Sequence, residues 1–355
     1  MAYSKITVEI ANICNARCKW CTTGMQNRHR GGVKQECYFM NPREFERGIE
    51  YLTSIGCLDV ATTELELYNW GEPLLNPHIS EIVEMMERRE IKYHLSSNAY
   101  SIDNFKPKTL NGLTSFRISI SGVTKETYER IYGLDVERVK KNIYKLADLL
   151  DDIGKKDKLE VSYLVYRFNA NEILAAKEAF KEIRVVPRLA YFVDFHQCQQ
   201  WLEGNMPEGL LKEVEEEIIV EMLRERLNEY REDFECPQWK VAVFDEKWNL
   251  LPCCLLTSDE KIGNLFELSA KELEEKKKNL KCCEECIRSK QHWICNTNKE
   301  IYFGSKEAVV LPYMVRNKEL KEKYQKALDS YSKLKEKYGD LWSAYQKLEK
   351  QTNGN

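Results

Sequence analysis

Residues 5–21 read KITVEIANICNARCKWC. From Lys5 to Ile10 polar and apolar side chains alternate, the period of a strand with one buried face. Directly after it come three thiols, Cys14, Cys18 and Cys21. A strand feeding a thiol-rich loop decides the reading, because parallel α/β folds place their ligands beyond the C-terminal ends of the strands.

The chain has 355 residues and 43% apolar content, enough for one large α/β domain plus a smaller one. Its net charge of -3, from 54 basic and 57 acidic residues, gives no field that would gather nucleic-acid phosphates or anionic lipid. No nucleic-acid or membrane partner is expected. The start MAYSKITVEIANIC carries no apolar stretch of signal-peptide length, and no run reaches the ~20 apolar residues that a bilayer requires. The expected location is cytoplasmic. Thirteen cysteines in a reducing compartment point to metal or catalysis rather than disulfides. Ten of them fall in two groups: 14, 18 and 21, then 236, 253, 254, 282, 283, 286 and 295.

Up to about residue 200, β-rich runs alternate with amphipathic stretches. KITVEIANI, TTELELYNW, IKYHLSSN, SFRISISG, LEVSYLVYR and RLAYFVDF are separated by helical patterns near 42–56, 78–89, 124–152 and 171–183. The alternation predicts a parallel sheet with helices outside, either open and doubly wound or an incomplete barrel. Residues 208–232 predict one long charged helix. Leu320, Ala327, Leu334, Leu341 and Leu348 repeat every seven residues, as do Tyr324, Tyr331, Tyr338 and Tyr345. That stripe is the seam of a coiled-coil homodimer or of a helix docked on its own domain.

A cube-shaped iron-sulfur cluster takes a thiolate on every iron, so a loop offering three leaves one iron open to an outside ligand. Zinc competes, but structural zinc sites usually draw their ligands as two short-spaced pairs, and no second pair lies nearby. At this point CNARCKWC resembles the C-x-x-x-C-x-aromatic-C signature of the radical S-adenosylmethionine (radical SAM) superfamily, with Trp20 as the aromatic residue. The resemblance covers roughly residues 5–200. It implies a partial (β/α)6 TIM-like barrel in which Cys14, Cys18 and Cys21 hold a [4Fe-4S] cluster whose open iron binds S-adenosylmethionine. NWGEP, residues 69–73, is similar to the family's GGEP element, so Gly71, Glu72 and Pro73 would hold the methionine amino group. Glycine permits close approach, and a carboxylate accepts charge-assisted bonds from an ammonium. Ser96, Asn98, Ser119 and Ser121 would meet the ribose and carboxylate. Two positions depart from the pattern: many relatives have Asp where Ser121 stands and Arg where Tyr132 stands, which leaves Arg130 to hold the carboxylate. The implied chemistry is reductive cleavage to a 5'-deoxyadenosyl radical that takes a hydrogen atom from carbon, with a flavodoxin- or ferredoxin-type protein as reductant.

CPQWKVAVFDEKWNLLPCC, then IGNL and KCCEEC, resembles the auxiliary-cluster domains called SPASM, or twitch in the shorter form. A hairpin over about 239–252 would return Cys253 or Cys254 to Cys236, and Cys283 and Cys286 would complete one auxiliary [4Fe-4S] cluster. A second cluster would draw on Cys282, Cys295 and the remaining member of the 253/254 pair. The expected domains are a barrel over 1–205, a connecting helix over 206–232, a SPASM/twitch domain over 233–300 and a heptad helix over 301–355. An auxiliary cluster would accept the second electron of a substrate oxidation. Cys198 is the candidate hydrogen donor for an epimerase, and His196 and Asp194 are candidate bases for alcohol oxidation.

The leading expectation is therefore a radical SAM oxidoreductase or epimerase acting on a small polar molecule of the sugar or aminocyclitol type. The thiol loop starts at residue 14, which leaves no room before it for the leader-binding domain that many peptide-modifying relatives carry. Modification of a ribosomal peptide is the alternative, followed by a non-catalytic iron-sulfur electron-transfer protein.

Overall fold

The computed structural model describes residues 2–29, 36–192, 194–278 and 280–297, with Ser330, Lys333 and Gly339. The chain divides into two compact units, Met1–Tyr302 and Phe303–Asn355. The heptad stripe lies outside the described residues.

Six parallel strands carry the first unit: β1 (Lys5–Val8), β2 (Glu64–Glu66), β3 (Lys92–Ser97), β4 (Leu113–Ile120), β5 (Leu159–Val165) and β6 (Arg184–Leu189). Their spatial order follows the chain. The connecting helices are α1 (Thr22–His29), α2 (Pro42–Ser54), α3 (Ile79–Arg88), α4 (Lys125–Tyr132), α5 (Val136–Asp152) and α6 (Ile173–Ala179). Sequential parallel pairing with helical crossovers is the TIM-like partial barrel. Among the described residues no helix is long and apolar enough to cross a membrane.

Local chemistry explains the helices. Asn41 caps α2 by accepting from the backbone N–H groups of Arg43 and Glu44, both at 3.0 Å, while Glu44 accepts from the Asn41 N–H at 3.1 Å. Phe45, Gly48, Ile49 and Leu52 then form the buried stripe of α2. The single helix expected over 124–152 is two, because Gly133 takes a left-handed conformation (φ 64°) and ends α4.

Three further elements correct the sequence reading. The sixth strand is RVVPRL at 184–189, upstream of the expected RLAYFVDF, and Asp194 instead caps helix α7 (Phe195–Glu203) through the Gln197 N–H at 2.9 Å. The strand is an edge, which is why it tolerates Pro187. The expected long connector breaks at Ile218–Ile219 into α8 (Glu208–Glu217) and α9 (Val220–Asn228). The cysteine-rich region does not stand apart either: β7 (Val241–Phe244) pairs parallel with β1, and β8 (Asn249–Leu251) and β9 (Gly263–Asn264) extend the same sheet antiparallel. Helices α10 (Ala270–Lys278), α11 (Lys281–Arg288) and α12 (Gln291–Thr297) follow.

The β7–β8 hairpin matches the sequence expectation. Asp245 holds its turn by accepting from the backbone N–H groups of Lys247 (2.9 Å) and Asn249 (2.8 Å). Trp248 occupies the left-handed position (φ 62°) that glycine usually fills. Its ring packs 6.0 Å from Phe45 and 5.5 Å from Phe244, and its Nε1–H donates to the Glu44 carbonyl at 3.2 Å. A Cβ on Gly48 would come within 2.1 Å of that ring. Gly48→Ala is therefore expected to destabilise the protein by ~1–3 kcal/mol through overpacking. Thermal unfolding checks this, and an unchanged Tm would show that the hairpin does not bear on α2.

Candidate functional site

The three N-terminal thiols lie where the first strand leads. Cys14, Cys18 and Cys21 line a cleft of about 760 Å³, counted to its open mouth, with Gly71, Glu72 and Asn98. Burial pushes the thiol pKa of all three upward; for Cys14 the nearby Glu72 adds to this, and for Cys18 its two fellow thiols do. Side chains of α1 tie the loop down. Asn27 Nδ2 donates to the carbonyls of Cys14 (2.9 Å) and Ala16 (2.8 Å), and Arg28 donates to the carbonyls of Arg130 (3.1 Å) and Ile131 (2.8 Å).

Among the described residues, no group of three His, Cys, Asp or Glu side chains is arranged to hold a single metal ion. A zinc ion gathers its thiolates at ~2.3 Å from one point. A cube cluster attaches each thiolate to a different iron, so its donors stand further apart. Three thiols along one wall of a cleft fit the second arrangement.

Glu72 is fully within the rim. It accepts from Leu74 N–H (3.1 Å), Ser97 Oγ–H (2.7 Å) and Asn98 N–H (2.8 Å), and burial raises its pKa to about 7 despite those bonds. The carboxylate thus positions the ends of β2 and β3, where the sequence suggested direct capture of an ammonium. Gly71 has a similar local reason: a Cβ there would lie 1.8 Å from the Ala11 carbonyl oxygen. Pro73 begins a buried 3₁₀ turn over Pro73–Leu75 and is not among the cleft-lining residues.

Trp20, Ser96, Asn98 and Ser119 line the cleft as expected. The Asn98 amide reaches Asn15 Oδ1 at 2.8 Å and the Cys14 sulfur at 3.7 Å, so it braces the thiol loop. Ser121 departs from expectation: it follows the last residue of β4, is fully buried and does not line the cleft. Arg130 departs as well. Its guanidinium grips Glu217 through Nε (3.1 Å) and Nη2 (2.9 Å) and lies over the Phe168 ring. Tyr132, stacked on Tyr128 at 4.8 Å, lines the cleft instead.

Glu217 escaped sequence reasoning. This α8 carboxylate is 4% exposed and also accepts from Trp20 Nε1 (2.9 Å) and Lys19 Nζ (3.0 Å), clamping the segment between the second and third thiols. Glu9 was missed too. Its Oε1 accepts from the backbone N–H groups of Trp70 (2.9 Å) and Gly71. Nothing in the local pattern separates either from a solvated Glu.

Cys236, Cys253, Cys282, Cys283, Cys286 and Cys295 line a second pocket of about 470 Å³. Cys253 lines this pocket, whereas Cys254 lines a different cavity. Lys277 is 1% exposed beside these thiols; burial lowers its pKa to about 8 while the thiols oppose the shift. A buried cation among thiols suits a site that becomes anionic when thiolates hold a cluster.

The two catalytic candidates are not delivered to a cavity. His196 has a side chain 67% exposed and stands 3.6 Å from Glu260, because it falls on the outer face of α7. Cys198 falls on the inner face with Phe195 and Trp201, is completely buried, and its thiol contacts that of Cys295.

A parallel sheet ending in a three-thiol loop and a glycine-carboxylate rim defines the class, and residues 8–175 match the family model described as Radical SAM superfamily. Over those residues the chain is similar to the radical SAM superfamily. Among curated proteins it is 24% identical over 232 residues to a probable GTP 3',8-cyclase of Methanocaldococcus jannaschii, covering 63% of this chain and 72% of that protein. It is 23% identical over 199 residues to a GTP 3',8-cyclase of Aquifex aeolicus, covering 55% and 58%. Of solved structures, Streptococcus suis SuiB bound to precursor peptide SuiA superposes with a TM-score of 0.51 at 13% identity, covering 77% of this chain and 64% of that one. That likeness concerns the fold, and the chain spans less than two thirds of SuiB.

Glu9 provides a pH test. Burial, reinforced by Glu246, raises its pKa from 4.5 to about 8. The native state therefore holds a proton that the unfolded chain releases, so stability falls as pH rises from about 5 to about 8. Glu9→Gln keeps the acceptor oxygen and loses that dependence. Its thermal stability relative to wild type should improve across this interval, by on the order of 2 kcal/mol. Parallel pH profiles would refute the assignment.

Proposed function

We propose that the protein is a radical SAM oxidoreductase or epimerase acting on a C–H bond of a small polar substrate held between its two thiol centres. One observation carries this reading. A cavity of about 570 Å³ inside the barrel shares Tyr68, Asn69 and Leu164 with the first cleft, and Gln238, Cys295 and Asn296 with the second pocket. A reaction that begins with a radical at one centre and returns or removes an electron at the other needs such a continuous chamber.

In this reading Cys14, Cys18 and Cys21 hold the first [4Fe-4S] cluster, and Cys236, Cys253, Cys283 and Cys286 hold one auxiliary cluster. With S-adenosylmethionine and an electron from a flavodoxin- or ferredoxin-type donor, the first group supplies a 5'-deoxyadenosyl radical. The chain's own part is positioning and exclusion of water. Trp20, Tyr132 and Tyr166 wall the cleft, and Asn98, Glu72 and Glu217 keep the loop and rim in place. Epimerisation needs a thiol within reach of substrate. Cys254 and Cys295 line the chamber, which favours them over Cys198. The curated relatives' name specifies a nucleotide substrate, and this supports a small polar molecule over a peptide.

Anaerobic protein loaded with iron and sulfide should cleave S-adenosylmethionine, and deuterium from a labelled substrate should appear in 5'-deoxyadenosine. Cys18→Ala should abolish cleavage. Cys253→Ala should lower bound iron by about half, the share of one cluster in two, and halt substrate turnover. Iron content unchanged in the second variant would remove the auxiliary site; cleavage surviving in the first would remove the radical mechanism.

A further inference from the structure

The barrel chamber has an uneven charge. Among its lining residues are Lys5 on β1, Arg117 on β4, Arg188 on β6 and Lys240 before β7, against the carboxylate of Glu66. Glu66 already has Lys5 at 2.8 Å, and although burial opposes it, that neighbour keeps its pKa below the usual range. Glu160, outside the lining, stands 3.5 Å from Arg117 and also serves Arg184 and Arg188.

The polar atoms are equally telling. Asn69 Nδ2 and His94 Nε2 are buried without a hydrogen-bond partner, Arg117 Nε has only the Glu160 carboxylate at 3.5 Å, and all three residues line this chamber. His94 is 7% exposed. Its pKa is lowered to about 4, mainly by burial and then by Arg117, so it is neutral and offers one further donor or acceptor. Buried donors are nearly always matched; here the missing match is an acceptor-rich ligand. The donors come from several segments around the chamber, which suits a tetrahedral oxyanion better than a planar carboxylate with two oxygens. At about 570 Å³ the chamber falls within the ~300–1,000 Å³ of most small-ligand pockets, leaving room for a ring system beyond the anion.

We propose that the chamber binds the phosphate of a small hydroxylated ester, a sugar phosphate or a nucleotide, with Arg117, Lys5 and Asn69 receiving the phosphate. This rests on the reading of the chamber as the substrate site and names the class of substrate. Calorimetry on the full chain, iron-loaded and supplied with S-adenosylmethionine, would compare glucose 1-phosphate with glucose and GDP with guanosine, and would titrate inorganic pyrophosphate alone. At least one phosphorylated probe should bind about tenfold or more tightly than its dephosphorylated counterpart, the stronger pair separating sugar phosphate from nucleotide. Arg117→Gln should erase most of that difference and Arg117→Lys should retain part of it, with circular dichroism confirming that both variants fold. The proposal is overturned if no pair shows a preference and pyrophosphate does not bind, or if folded Arg117→Gln binds as wild type does. Wild-type cleavage of S-adenosylmethionine without phosphate selectivity would defeat the ligand class alone. Selective binding without cleavage would defeat the radical reading and leave the ligand class standing.

Discussion

Two buried carboxylates splice the ends of the first three strands, and the orientation of the thiol loop depends on them. Past Val8, Glu66 and Ser97 the regular ladders of the first three strands end. Glu9 takes the N–H groups of Trp70 and Gly71, and Glu72 takes those of Leu74 and Asn98 with the Ser97 hydroxyl. Backbone donors that would otherwise be buried and unmatched become the rim of the cleft. The thiol loop hangs from this rim, since the Glu72 N–H donates to the Ile13 carbonyl at 2.8 Å and Asn98 holds Asn15. Replacing Gly71 would drive the rim apart at Ala11, so glycine and the two acids act together.

The sheet inverts the usual distribution of polarity in a filled barrel. Ile6, Val8, Leu65, Tyr93, Leu95, Phe116, Ile118, Val161 and Tyr163 are buried, whereas the alternate positions Lys5, Thr7, Glu66, His94 and Arg117 line the chamber. A TIM barrel packed to its axis carries branched apolar residues at those inner positions. Charged ones there mean that the interior is meant to hold something other than side chains. Ion pairs between adjacent strands, such as Lys5 with Glu66 and Arg117 with Glu160, keep the inner face ordered without closing it.

This inversion explains what was legible in the sequence. Alternation in KITVE, IKYHLSS and LTSFRISI marks strands with one apolar face, and the thiol spacing marks the loop, so the barrel and its first donor set could be read directly. The hairpin and the short spacing likewise point to the neighbourhood of Cys253, Cys283 and Cys286, which line one pocket. The structure pairs Arg130 with Glu217, 87 residues away in a helix whose charge pattern looks like any solvated face. Glu9 and Glu217 differ from dozens of surface acids only in burial, which a sequence does not display. His196 and Cys198 sit two residues apart, yet helical geometry turns one outward and the other into the core, and the start of α7 had been read as strand.

The position of the second thiol site follows from the sheet. Register pairs Lys5 with Val241 and Val8 with Phe244, so β7 runs beside β1 from the same starting edge. Cys236 precedes β7 and Cys253 follows β8, placing both at the mouth of the hairpin near the start of β1, whereas Cys14 lies beyond its end. The two centres are thus separated by on the order of 13 Å of strand, four residues at ~3.3 Å each. Trp248 prevents the hairpin from sliding, because its ring is wedged against Gly48 and its indole N–H is bonded to the backbone of α2. Between the centres lie the chamber and Tyr191, half-buried and close to Cys198, Cys253, Cys254 and Cys295. Because the same strand that carries the first thiols also seats the hairpin of the second, neither centre can shift along the sheet without breaking β1 pairing, and the length of the chamber is set by the backbone rather than by side-chain packing.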